Sequence, residues 1–191
     1  MKIVTIDFDI IMSPCIDVYN DSDLTVDEYL NKFDFLGWMA ADLELYQILT
    51  NFVMSFDKSK IYFIYDHHDI VDHLKDIEEK IDLYNIDYHH DIGYEDEKFW
   101  NSPLQEYNEG NWVKRLWDEN KLNSYIWLKD YKSYDLNEKG EKYLTDSYIV
   151  YNYNLKELLD ADALYISLSA PWVPEYYTYL YNLWEDLTNM K

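Results

Sequence analysis

Short runs rich in β-branched and aromatic residues punctuate this chain, and several stop abruptly in clusters of Asp, His or Ser. The runs are Lys2 to Phe8, Lys60 to Tyr65, Leu83 to Tyr88, Ser124 to Leu128, Ser147 to Asn152 and Ala163 to Leu168. Each has the length and composition of a buried strand. Between them lie segments with apolar residues three and four apart. Leu36 to Phe56 is the longest, with Leu36, Met39, Leu43, Tyr46, Leu49 and Val53 on one helical face. Asp69 to Lys80 and Gly110 to Asn120 are amphipathic in the same way, and Pro174 to Leu187 opens with Pro and Glu, as a first helical turn often does. Strands alternating with helices predict a three-layer α/β/α fold on a mainly parallel sheet of about six strands.

In such sheets ligands bind beyond the C-terminal ends of the strands. The polar residues fall there. The first run closes in Asp7-Phe8-Asp9, the second in Asp66-His67-His68-Asp69, the third in Asp87-Tyr88-His89-His90-Asp91 and the last in Ser167-Leu168-Ser169. Four of the 5 histidines sit in two of these clusters, each of which also carries Asp.

The remaining bulk properties narrow the function. A length of 191 residues fits a single α/β domain spanning 1–191. Against 38 Asp and Glu stand only 16 Lys and Arg, a formal net charge of −22. That surface repels nucleic-acid phosphates and anionic membranes and favours cations. It equally suits a basic protein partner. Cys15 is the one cysteine, so no internal disulfide is expected and a reducing cytoplasm fits. No apolar run approaches the roughly 18 residues of a membrane span. The N-terminal MKIVTIDFDII reads as a strand and lacks a small-residue cleavage site, so no signal peptide is expected. The stretch from Tyr94 to Asn108 has no clear period and is expected to be a loop flanking the site.

Residues two apart on extended backbone point the same way. Asp87, His89 and Asp91 would then converge from one strand end, and Asp7 and Asp9 from another. With one His of the second cluster this makes four carboxylates and two imidazoles, a donor set suited to Mn²⁺, Fe²⁺, Co²⁺ or Zn²⁺. Four carboxylates brought together without cations repel one another, and two divalent ions would neutralise them.

The segments TIDFDIIMSP, IYDHHDIV and NIDYHHDIGY resemble the Asp-x-Asp, Asp-His and Asp-x-His-x-Asp motifs of the arginase (ureohydrolase) superfamily. The chain looks most like its small peptide-arginase-like group, to which NEGNWVKRLW, YIWLK and LYISLSAPWVPEYY are also similar. The resemblance implies one metal on His67, Asp87, Asp91 and Asp7, and a second on His89, Asp87, Asp7 and Asp9, Mn²⁺ being the first expectation for both. It implies hydrolysis of a guanidino C–N bond in a small molecule or peptide, with a water or hydroxide between the ions as nucleophile. Asp91 and Glu175 are then expected to act in catalysis, and Asn111, His68 and His90 to meet substrate.

The chain departs from arginases in placing the Asp-x-Asp strand first, in being much shorter, and in lacking a proton-shuttle His after Asp91. Three other readings compete. VTIDFDII superficially fits a haloacid-dehalogenase-like phosphatase with Asp7 as nucleophile and Asp9 as acid, which leaves both His clusters unexplained. Asp87-Tyr88-His89-His90 also resembles single-zinc deacetylases. A degenerate hydrolase fold whose acidic surface blocks a basic partner is the non-enzymatic alternative.

Overall fold

The computed structural model describes residues 1–14, 39–93, 110–133, 136, 138–170 and 172–190. Its centre is a six-stranded, all-parallel sheet built from β1 (Lys2–Asp7), β4 (Ile61–Ile64), β5 (Ile81–Ile86), β6 (Leu122–Lys129), β7 (Asp146–Ile149) and β8 (Ala163–Ser167). The strand order is β4-β8-β1-β5-β6-β7. Two further short strands, β2 (Met12–Pro14) and β3 (Met39–Ala41), pair antiparallel. All six apolar runs thus became neighbours in one sheet. Ser147 to Asn152 did so only in part, because Val150–Asn152 tightens into a 3-10 turn.

Helices cover both faces. On one lie α1 (Leu43–Ser55) and α5 (Thr178–Asn189), whose Leu45, Leu49, Phe52, Leu180 and Trp184 pack against Val4, Ile6, Leu164 and Ile166. On the other lie α2 (Ile70–Leu74) and α3 (Trp112–Asp118). There Ile70, Leu74, Trp112 and Leu116 meet Ile3, Leu83, Tyr125 and Tyr165. A short turn of helix, α4 (Glu138–Glu141), precedes β7. Alternate residues of β1 serve the two cores, as strand geometry requires: Val4 and Ile6 face one, Ile3 the other.

The helix expected over Leu36 to Phe56 begins later. Residues 36–38 lie outside the described residues, and Met39 belongs to β3. Asp42 sets the start, its carboxylate accepting from Leu45 N at 3.0 Å, an N-cap worth about 1 kcal/mol. The apolar phase shifts with it: Leu43 is 64% exposed while Leu45 and Phe52 are buried. The segment Asp69 to Lys80 is helical only through Leu74. Beyond it the Lys121 ammonium takes up the carbonyls of Lys75 and Ile77. The helix expected over Gly110 to Asn120 is α3, which stops where Asn120 turns left-handed, φ 57°. Cys15 and the Tyr94 to Asn108 stretch lie outside the described residues.

The topology places the site. The chain leaves β1 toward β4 on one side, returns to β5 on the other side of β1, and continues outward to β6 and β7. Connections therefore depart in opposite directions from the adjacent strands β1 and β5, which opens a crevice at their C-terminal ends. No described helix is long and apolar enough to cross a membrane.

Candidate metal centre

Asp7 ends β1, and Asp9 follows in the 3-10 turn Phe8–Ile11, where Asp9 N donates to Asp7 Oδ1 at 3.4 Å. His67 opens the turn after β4, which is tied by Asp66 N donating to Asp69 Oδ2 at 3.1 Å. Asp87 directly follows β5. All four side chains are buried, at 4% exposure or less.

Two groups of mutually close donor atoms result: Asp7, His67 and Asp87, and Asp9, Asp87 and His89, with each group's atoms within 4.8 Å of one another. His67 Nδ1 lies 3.1 Å from Asp7 Oδ2, 3.1 Å from Asp87 Oδ2 and 3.2 Å from Asp91 Oδ2. Three oxygens ring the nitrogen, yet none satisfies it as a hydrogen-bond partner. His89 Nδ1 lies 2.8 Å from Asp9 Oδ2 and 3.9 Å from Asp87 Oδ1. Asp87 therefore turns one oxygen to each imidazole.

Both groups of donors could hold a metal ion. Ligands about 2.1 Å from one ion lie about 3.0 Å apart in an octahedron and about 3.4 Å apart in a tetrahedron. The 3.1–3.2 Å spacings around His67 fall in that range, whereas the 2.8 and 3.9 Å spacings around His89 lie on either side of it. Buried polar atoms are normally satisfied. Among the described residues, both nitrogens of His67 and both carboxylate oxygens of Asp9 have no hydrogen-bond partner. The fully buried Ser167 hydroxyl, beside Asp7 in the sheet register, has none among the described residues either.

The electrostatics record the crowding. Burial, then the neighbouring Asp7 carboxylate, pushes Asp9 up to about 7. Burial, then Asp91 and Asp7, pushes Asp87 up to about 8. Burial opposes charge on both imidazoles, but the surrounding carboxylates outweigh it. Asp9, with Asp87 and Asp91, brings His89 to about 10, and Asp7 foremost holds His67 well above its usual value. Asp7 is the carboxylate of the cluster held below its usual range: burial works against this, but the positive charge of the nearby His67 and the hydrogen bond from Ser169 prevail.

Surrounding side chains fix the cluster. Ser169 Oγ donates to Asp7 Oδ2 at 2.6 Å, and Trp112 Nε1 donates to Asp91 Oδ2 at 2.6 Å. His89 N donates to Asp87 Oδ1 at 2.8 Å. The Trp112 ring lies 4.7 Å from His67 and the Trp172 ring 5.4 Å from His89. Asp91 and Ser169 both adopt left-handed backbone, φ 50° and 49°. Such conformations cost of order 1 kcal/mol each in residues other than Gly or Asn and gather at functional sites.

The six expected ligands come together, with two differences in detail. Asp91 reaches His67 but stands outside both three-residue groups, and Asp7 joins the first group alone. Nor does alternation along a strand aim Asp91: β5 stops at Ile86, and a left-handed turn swings Asp91 back toward His67.

The other expected residues are scattered. His68 is partly exposed, its Nε2 4.0 Å from Asp69 Oδ1. His90 packs edge-on to Trp127 at 5.7 Å and accepts from Ile92 N at 3.2 Å, away from both donor groups. Burial, then the charge on His89, pushes His90 down to about 3. Asn111 is buried at the start of α3, beside Trp112. Glu175 is exposed on the turn before α5, and no polar contact joins it to the cluster among the described residues. Sequence reasoning missed Trp112, Trp172, Ser169 and Asn85 as site residues; the first three lie in the segments that carried the resemblance.

Comparison with known protein families, with characterised proteins and with solved structures finds no match to this chain.

Proposed function

We propose that the chain is a binuclear metal-dependent hydrolase that cleaves a guanidino C–N bond. The observation that carries this reading is the Asp87 carboxylate, whose two oxygens serve two separate groups of buried donors. Asp7, His67 and Asp87 would hold one divalent ion, and Asp9, Asp87 and His89 the other, with Mn²⁺ the first choice for this mixture of oxygen and nitrogen ligands. Such ions lower the pKa of water and polarise the bond it attacks.

The chain's own residues supply the rest. Asp91 braces His67 and is the carboxylate outside both groups, so it would be the one to take a proton from the attacking water. Trp172, half-buried beside His89, offers a flat face on which a planar guanidinium would stack. An excess of 38 acidic over 16 basic residues draws a cationic substrate and disfavours a phosphate ester. The phosphatase reading also leaves His67 and His89 without a role. The likeness of the three Asp/His segments to arginase motifs supports the same bond type.

A urea-release screen tests the reading. Mn²⁺-loaded protein is offered arginine, agmatine and arginine-containing peptides, with and without chelator. Urea that appears with one of them and vanishes with chelator is the expected result. Phosphate release from an aryl phosphate, abolished by Asp7→Asn and without any urea, would replace this function with the phosphatase.

A further inference from the structure

Asn85 is a buried polar residue that metal binding alone leaves unexplained. It sits within β5, fully buried, on the sheet face that otherwise carries apolar side chains such as Leu83 and Ile81. A buried amide there is costly unless every hydrogen bond is made. It is fully engaged. Thr5 Oγ1, from the neighbouring strand β1, donates to Asn85 Oδ1 at 2.5 Å. Asn85 Nδ2 donates to Asp87 Oδ2 at 3.1 Å and to the Tyr125 hydroxyl at 3.2 Å. Tyr125 in turn donates to the His90 carbonyl at 2.8 Å.

The directions in this chain of bonds are forced. The His90 carbonyl can only accept, so Tyr125 must donate to it and offer its oxygen to Asn85. That fixes the NH₂ end of Asn85 toward Tyr125 and Asp87. The Asp87 carboxylate, which only accepts, requires the same orientation, and Thr5 completes it by donating to the oxygen at the opposite end. The amide therefore cannot flip, and its second proton always points at Asp87 Oδ2. Asp87 Oδ1 is held separately by His89 N, and the Asp87 carbonyl accepts from Trp127 Nε1 at 2.9 Å. Each carboxylate oxygen thus has one lone pair engaged by the protein and keeps another for its own donor group.

We infer that Asn85, locked by Thr5 and Tyr125, is a positioning residue that sets the Asp87 carboxylate across the two metal sites. The inference rests on the binuclear reading given above. Partners that orient metal-bound carboxylates typically change affinity by about 10–100-fold when lost.

Two variants test it, read by Mn²⁺ titration and by the electron paramagnetic resonance signal of two exchange-coupled Mn²⁺ ions. Asn85→Leu removes the donor to Asp87 but strands the Thr5 and Tyr125 hydroxyls. The triple change Thr5→Val, Asn85→Leu, Tyr125→Phe replaces the whole network with apolar groups of similar shape, which folded proteins tolerate far better than a half-broken network. The wild type should bind two coupled ions. The triple variant should fold, as judged by circular dichroism and melting temperature, yet bind Mn²⁺ at least about tenfold more weakly and lose or alter the coupled signal. A folded triple variant with wild-type affinity and coupling overturns the role of Asn85 alone. A wild type that binds no metal overturns the binuclear reading, and this inference with it.

Discussion

Replacing Asp87 by Asn should leave the metal-free protein nearly as stable as the wild type and remove most of the stabilisation that metal brings. Asp87 is fully buried and Asn has its shape, so packing is unchanged. In the metal-free protein the substitution removes a carboxyl that burial, Asp91 and Asp7 all disfavour as an anion. It also sets an amide NH₂ against a donor, either Asn85 Nδ2 or His89 N. One such mismatch costs about 1–3 kcal/mol, against which the relief of repulsion works. The metal-free variant should therefore melt close to the metal-free wild type. With metal the two proteins separate. An ion at 100 times its Kd adds about 2.7 kcal/mol, so two ions add about 5.4 kcal/mol. At 2–4 °C per kcal/mol for a chain of this size, Mn²⁺ should raise the wild-type melting temperature by roughly 10–20 °C. Asp87→Asn, whose shared ligand is lost to both groups, should keep less than half of that rise. Thermal melts with chelator and with excess Mn²⁺ measure both effects. If the variant melts far below the wild type in chelator, and Mn²⁺ moves neither, Asp87 is a structural residue and the reasoning fails.

Four further outcomes follow from the geometry. His67→Ala and His89→Ala should each lose at least one ion, whereas His68→Ala, His73→Ala and His90→Ala should keep both; metal content of the five folded variants decides, and loss in His90→Ala but not His89→Ala would contradict the placement of the ligands. The metal-induced rise in melting temperature should grow from pH 5 to pH 9. Asp9 and Asp87, raised to about 7 and about 8, bind more protons folded than unfolded, so the metal-free fold weakens as pH rises above the usual carboxylate range. His89, raised to about 10, adds stability below its unfolded value that is lost as pH rises toward 10, while metal needs all these groups deprotonated. A rise that shrinks with pH would be the wrong sign. Trp112→Phe removes the buried donor to Asp91 and should cost about 1–3 kcal/mol in chemical denaturation. Asp42→Ala strips the cap of α1 and its 2.5 Å bond from the Tyr151 hydroxyl, and should cost about 1–2 kcal/mol without changing metal content.

The sheet was legible because its central strands β1 and β8 are buried on both faces, so their runs announce themselves without help from periodicity, and the remaining runs are rich in β-branched and aromatic residues. The ligands were legible because a strand that ends at a crevice must change chemistry at that residue, as Asp7 and Asp87 do. Helix limits were less so. The apolar spacing from Leu36 carries straight through Asp42, whose capping role depends on the chain turning there. The aim of Asp91 was hidden for a similar reason, since nothing in Asp87-Tyr88-His89-His90-Asp91 marks the left-handed turn. Asn85 is, in the sequence, one polar residue within the run Leu83 to Tyr88. Its meaning comes from Thr5 and Tyr125, which only the register of three adjacent strands brings beside it.

The central claim is that two ions share Asp87, and counting them is the most direct test. Folded protein is loaded with Mn²⁺, freed of excess by gel filtration, and assayed for metal and protein together. Two Mn²⁺ per chain, falling to one or none in Asp87→Asn, is the result expected from the two donor groups. A folded wild type that retains no metal, or a single ion unaffected by Asp87→Asn, would contradict it.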